Sequence, residues 1–273
     1  MNVPGNPVAP MQWLLALSDG GATFHHYVEM AKVAIHTALK FTSLRPHLLY
    51  DGSENAFTDW VRRRDIPMVR CQSPFLGKLA NLEICQRDKT IAAATRGIFL
   101  RVELPALQEQ MGLEDRVLYT DCDIMFQHDV VPDLTSVDCD YFAVAGEFTP
   151  DDYENMNTGV MLMNLPRLRE TSSQFREFIS ENLESLKDEA WDQGAFRRFY
   201  RRPDGTPLWD KLPPELNWKP YWGKNPSAGI IHFHGPKPFQ RDFVSTLPEL
   251  QHLSGGAYDD LCQLWNRWLT EVN

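Results

Sequence analysis

The sequence predicts an α/β fold, a largely parallel sheet covered by helices on both faces. Three observations carry that expectation. Short apolar runs alternate with longer helix-compatible stretches through the first two thirds of the chain. The clearest run, Val117-Leu118-Tyr119-Thr120, is a buried-strand string of the kind found in sheets covered on both sides. The chain has 273 residues, 43% hydrophobic and 23% charged, enough to bury roughly 75% of the surface its unfolded form exposes.

Taken in order, residues 12–17 form an apolar strand ended by Ser18-Asp19-Gly20-Gly21, and an Ala-rich helix follows over 25–42. The pattern repeats with a strand over 47–50 stopped by Asp51-Gly52, a helix over 54–64 and a strand over 66–70. A long helical stretch covers 90–110, with Pro105 kinking or dividing it, before the strand 116–120. Later strands are expected over 141–145 and 159–164, helices over 166–186 and 190–200. The final third interleaves prolines and glycines with Trp209, Trp218, Tyr221 and Trp222. It then rises into a strand over 228–233 and closes on a helix over 257–270. No repeat, low-complexity tract or linker interrupts it, so the expected organisation is an N-terminal tail, 1–11, and one domain, 12–273.

Charge excludes one class of function. Against 27 Lys and Arg stand 37 Asp and Glu, a net charge of −10, which lacks the electrostatic footprint of nucleic-acid binding. The basic clusters Arg62-Arg63-Arg64 and Arg197 to Arg202 read as solvated helix faces. Five cysteines without a CxxC pair give neither a disulfide framework nor a zinc knuckle and fit a reducing compartment. The apolar run 13–17 is far short of the roughly 20 residues that span a bilayer, so a cytoplasmic protein without an integral membrane segment is expected.

The strand 116–120 ends at Asp121-Cys122-Asp123, and in open α/β sheets ligands bind outside the carboxyl ends of strands. Two carboxylates one residue apart offer hard oxygen ligands to Mg²⁺ or Mn²⁺, with diphosphate oxygens completing the shell. The same pair could be a solvated loop end, or open a haloacid-dehalogenase-type phosphohydrolase in which the first Asp attacks phosphorus. A second string weighs between them: Ile230-Ile231-His232-Phe233-His234-Gly235-Pro236-Lys237-Pro238-Phe239. The His232 imidazole can ligate Mn²⁺, Gly235 permits close backbone approach, and Lys237 can stabilise a departing diphosphate. His25, His26 and His128 lack partners at metal-binding spacing.

With these motifs in order, the chain resembles the family 8 glycosyltransferases of the GT-A fold, the group containing glycogenin and bacterial lipopolysaccharide galactosyl- and glucosyltransferases. Leu15 to Asp19 is similar to the family's first strand and nucleotide-contacting acid, and Arg101 to Pro105 to its arginine-led helix. Arg116 to Asp123 resembles the metal segment, Met156 to Asn164 the Asn-x-Gly-Val strand, and Trp191-Asp192-Gln193-Gly194 the Asp-Gln element near the sugar. Three departures mark a divergent branch: a His232 to Lys237 interval one residue shorter than usual, Phe239 where the family has Trp, and a longer stretch between Arg101 and Asp121.

The resemblance implies metal-dependent transfer of a hexose from a UDP-sugar donor to a hydroxyl of an acceptor such as a saccharide, with retention at the anomeric carbon. It implies Mn²⁺ or Mg²⁺ on Asp121, Asp123 and His232. Donor contacts fall to Leu17, Ser18, Asp19, Arg101, Asp121, Cys122, Asp123, Asn157, Gly235 and Lys237, with Asp19 on uracil and Arg101 on phosphate or sugar. Asp192, Gln193 and Lys237 are the implied catalytic residues. Asn157, Asp192 and Gln193 would bind the transferring sugar, and Lys237 would meet the diphosphate. Cys122 between the aspartates is expected to pack rather than react. An inactive glycan- or nucleotide-binding module on the same fold is the alternative. Trp218, Tyr221 and Trp222 are open to either an acceptor-stacking or a packing role.

Overall fold

The computed structural model describes residues 9–273. The chain opens with β1 (Gln12–Ser18), α1 (Phe24–Phe41), β2 (Arg45–Asp51), α2 (Ala56–Arg62) and β3 (Met68–Arg70). Three short helices follow, α3 (Leu76–Leu79), α4 (Glu83–Arg87) and α5 (Lys89–Ile98). A 3₁₀ turn (Phe99–Glu103) then leads into α6 (Leu104–Met111). Next come β4 (Arg116–Thr120), β5 (Ile124–Phe126), α7 (Val131–Ser136), β6 (Phe142–Gly146) and β7 (Met156–Asn164). The rest comprises α8 (Leu165–Leu186), α9 (Asp192–Phe199), β8 (Asp210–Lys211), β9 (Ile230–His232), α10 (Arg241–Val244) and α11 (Ala257–Val272).

Among the described residues seven strands form one sheet in the order β3-β2-β1-β4-β7-β6-β8, and β5 pairs with β9 in a second, two-stranded sheet. Every pair in the large sheet is parallel except those made by β7, which runs against both β4 and β6. The architecture is the expected mixed, mainly parallel α/β sandwich. Side chains alternate between two cores. Trp13, Leu15 and Leu118 face one, while Leu14, Val117 and Tyr119 face the other. The chain runs outward from β1 to β3 and returns to place β4 on the far side of β1, so a switch point lies at the carboxyl ends of β1 and β4.

That edge is held rigidly. The fully buried Trp13 of β1 donates its indole N–H to Thr120 Oγ1 at 2.9 Å and meets the Phe126 ring of β5 edge-on at 5.1 Å. Thr37 of α1 accepts the Phe126 N–H at 3.1 Å. The turn 121–123 is thereby clamped between the two sheets.

Several expected elements change form. The long helix is divided, and Pro105 sits in the first turn of α6, where its missing N–H leaves no bond unmade. β7 begins at Met156 rather than 159, so Asn157 and Thr158 are strand residues and not a turn. The strand expected over 228–233 shortens to β9 and pairs with β5, outside the large sheet. β5, β8 and the helices of 76–87 were not expected from sequence, since two- to five-residue elements carry no readable periodicity. Most of the expected tail, 1–8, lies outside the described residues. Among the described residues no helix is long and apolar enough to cross a membrane.

Candidate metal and nucleotide site

Asp121 and Asp123 stand where β4 passes into β5. Asp121 N–H donates to the Gly159 carbonyl at 2.8 Å, continuing the β4–β7 ladder by one step. Beyond it, β5 pairs antiparallel with β9 in a register that sets Ile124 opposite His232, and Phe233 N–H donates to the Asp123 carbonyl at 2.9 Å. That register explains why residues more than a hundred apart in sequence meet. One ligand atom from each of Asp121, Asp123 and His232 lies within 4.8 Å of the others. His232 Nε2 is 3.5 Å from Asp123 Oδ1, and both side chains are buried.

Gly159 makes room for the imidazole. A Cβ there would stand 2.1 Å from His232 Cε1, inside any real contact distance. Gly159→Ala should therefore displace the ring and weaken Mn²⁺ binding by roughly 10- to 100-fold, the range seen when a ligand's support is lost. Titration of Mn²⁺ by electron paramagnetic resonance checks it, and unchanged affinity would contradict the packing argument.

Two cations balance the carboxylates. Arg101, buried in the 3₁₀ turn, donates to Asp121 Oδ1 and to the Thr158 carbonyl, lies 3.0 Å through Nε from Asp192 Oδ2, and stacks over the Tyr119 ring at 4.4 Å. Burial opposes its charge, yet Asp121 and Asp192 outweigh burial and hold the guanidinium more firmly protonated than usual. Burial also pushes Asp192 up to about 7, against the pull of Arg101. Lys237 donates to Asp123 Oδ2 and, at 2.9 Å, to the Phe233 carbonyl. Burial works against the Asp123 carboxylate, but the Lys237 ammonium prevails and holds it well below the usual range. Burial pushes the Cys122 thiol well above its ordinary value, which fits packing.

Asp121, Cys122, Asp123, Arg101 and Lys237 line a cleft of about 280 Å³ together with Leu17, Ser18, Tyr27 and Gly97. Asp19 lies at its edge between Ser18 and Gly20, accepting Ser53 N–H at 2.7 Å and Arg96 at 3.1 Å. Asn157, Asp192 and Gln193 are not on the cleft wall, and Arg101 connects Asp192 to it. Gly235 has φ +84° with open space at its Cβ position, so glycine serves the turn there rather than a close approach within the chain.

Sequence reasoning missed three buried residues. Asn217 bonds His232 Nδ1 at 2.9 Å, and Glu147 accepts Gln193 Nε2 at 2.9 Å. Lys219, fully buried, donates to the Gly146 carbonyl and lies 4.3 Å over the Trp222 ring, and burial lowers it to about 7. No motif marks them. Trp218, Tyr221 and Trp222 have their polar edges bound by Gly223, Glu147 and Phe148 carbonyls, which accounts for them by packing. His26 stacks on Phe239 at 4.1 Å.

The residues suit a hard divalent cation such as Mg²⁺ or Mn²⁺. Two carboxylates and an imidazole form the donor set, and among the described residues Asp123 Oδ1 is buried with no hydrogen-bond partner.

The sequence matches no protein-family profile and no curated protein. Solved structures do match. The galactosyltransferase LgtC, in complex with donor and acceptor sugar analogs, is 18% identical, with 96% of each chain covered and a TM-score of 0.64. The glycosyltransferase GlyE of Streptococcus pneumoniae is 17% identical over 96% of this chain and 63% of its own, with a TM-score of 0.61. Mouse xyloside xylosyltransferase 1 is 14% identical over 83% of this chain and 98% of its own, with a TM-score of 0.53. The chain has the GT-A fold of these glycosyltransferases.

Proposed function

We propose that the chain is a metal-dependent, retaining glycosyltransferase that moves a hexose from a UDP-sugar to an acceptor hydroxyl, most simply that of a saccharide. One observation carries the reading: Asp121, Asp123 and His232 converge from two sheets at the switch point, beside a cleft that two cations also face. In this reading those three residues hold Mn²⁺ or Mg²⁺, which when bound supplies electrophilic neutralisation of the diphosphate.

The remaining chemistry belongs to the chain. Lys237, already at the cleft, has an ammonium that can turn from Asp123 to the leaving phosphate. Arg101 fixes Asp121 and Asp192 on one guanidinium, so the acid of the metal corner and the acid of the sugar pocket move as a unit. Asn157, Asp192 and Gln193 bind the transferring sugar, Asp19 meets the uracil, and Leu17, Ser18 and Gly235 frame the donor. A front-face route, in which the leaving phosphate helps remove the acceptor proton, needs no protein nucleophile. The five cysteines are free, in keeping with the cytoplasmic setting we propose.

Incubation with UDP-glucose, UDP-galactose or UDP-N-acetylglucosamine tests the donor class without an acceptor. The expected result is UDP release with one donor that requires Mn²⁺ and stops with chelator. Saturating donor at 100 times its dissociation constant should stabilise the fold by about 2.7 kcal/mol. Thermal stabilisation without turnover would favour a binding module, and inorganic phosphate with phosphoaspartate on Asp121 would favour a phosphohydrolase.

A further inference from the structure

Five buried side chains form a line of hydrogen bonds from His232 in the metal corner to Glu147. His232 Nδ1 lies 2.9 Å from Asn217 Oδ1, and Asn217 Nδ2 donates to Asn157 Oδ1 at 3.0 Å. Asn157 Nδ2 donates to Gln193 Oε1 at 3.1 Å, and Gln193 Nε2 donates to Glu147 Oε2 at 2.9 Å. Asn217 is 0% exposed and the others are at most 8% exposed, so water cannot substitute for a lost link.

The direction of this relay is imposed. The backbone N–H of Thr158 donates to Gln193 Oε1 at 3.1 Å and that of Gly159 to Asn157 Oδ1 at 3.2 Å. Backbone donors cannot flip, so Gln193 and Asn157 must present oxygen to them and their NH₂ groups to the next partner. Glu147, whose carboxylate only accepts, closes the far end. Asn217 must then offer NH₂ to Asn157 and oxygen to His232. Turned over, it would set oxygen against oxygen in a dry site. Of the two neutral forms of His232 only the one with its proton on Nδ1 fits, and in that form Nε2, 3.5 Å from Asp123 Oδ1, carries the lone pair.

We propose that Asn217 is a positioning residue that sets the His232 tautomer and leaves Nε2 free for a divalent cation. The inference rests on the metal-site reading above.

The test uses the full chain with Mn²⁺ alone, titrated by electron paramagnetic resonance, together with the nitrogen-15 shifts of His232. Asn217→Leu removes the acceptor and should weaken Mn²⁺ binding by roughly 10- to 100-fold, with His232 losing its Nδ1–H preference. Asn217→Asp keeps an acceptor facing Nδ1 but turns its other oxygen on Asn157 Oδ1, so it should lower the melting temperature while His232 keeps its Nδ1 proton and Mn²⁺ affinity stays within about threefold. A parent protein that does not bind Mn²⁺ rejects the metal site itself and the inference with it. A parent that binds Mn²⁺ while Asn217→Leu binds within about threefold of it overturns the role of Asn217 alone. If Asn217→Leu fails to fold, Asn217→Asp decides: a loss of about tenfold or more, or a proton on Nε2, overturns the proposal.

Discussion

Asp123→Asn should abolish Mn²⁺-dependent UDP release, lowering the rate by about 10²- to 10³-fold, the loss typical when one preorganised stabiliser of developing charge is removed. Asp123 is the centre of the corner, touching His232 through Oδ1 and Lys237 through Oδ2. Asparagine is the informative replacement because it preserves volume and an acceptor oxygen. Either replacement removes the counter-ion of Lys237, a loss of up to about 3–5 kcal/mol for a buried pair, and alanine removes the acceptor as well, so loss of chemistry must be told from loss of fold. A coupled UDP assay beside a melting curve separates the two. Full Mn²⁺-dependent turnover in a folded Asp123→Asn protein would remove the metal role.

Arg101→Met should destabilise the fold by about 3–5 kcal/mol at neutral pH. It leaves Asp121 and Asp192 facing the emptied position without their shared cation. The pH dependence has a definite sign. Burial already raises Asp192 to about 7, well above an unfolded aspartate, so the folded protein binds this proton more readily. That group's contribution therefore improves as pH falls through about 7 and worsens as pH rises. Removing Arg101 deletes the influence that lowers Asp192, so the variant should recover stability on acidification over a window extending above 7. Melting temperatures at pH 8 and pH 5 check this. A variant whose melting shifts with pH no more than the parent's would contradict the assigned ion pair. Asp192→Asn in the parent should flatten this part of the pH profile.

How much of this was legible depends on what each residue had to signal. The strands β1, β2 and β4 announced themselves because burial on both faces demands continuous apolar runs, and Asp121 and Asp123 inherited their position from β4. His232 was legible as chemistry but not as geometry. The β5–β9 pairing that brings it to Asp123 comprises two three-residue strands, too short for a periodic pattern. The reversal of β7 was equally silent, since a buried strand reads the same in either direction. Lys237, expected at a diphosphate, lines the cleft, and its ammonium bonds Asp123. Asn217 and Glu147 had no signal at all. An amide in a proline-rich stretch gains its role only from Asn157, sixty residues away, and Glu147 only from Gln193.

In the proposed enzyme Asp121, Asp123 and His232 grip one divalent cation beneath a nucleotide diphosphate. Crystals grown with Mn²⁺ and UDP, measured at a wavelength where manganese scatters anomalously, test it directly. The account predicts one strong anomalous peak bonded to both carboxylates, to His232 Nε2 and to diphosphate oxygens. UDP bound with its diphosphate held by Lys237 and Arg101 alone, or manganese seated away from His232, would contradict it.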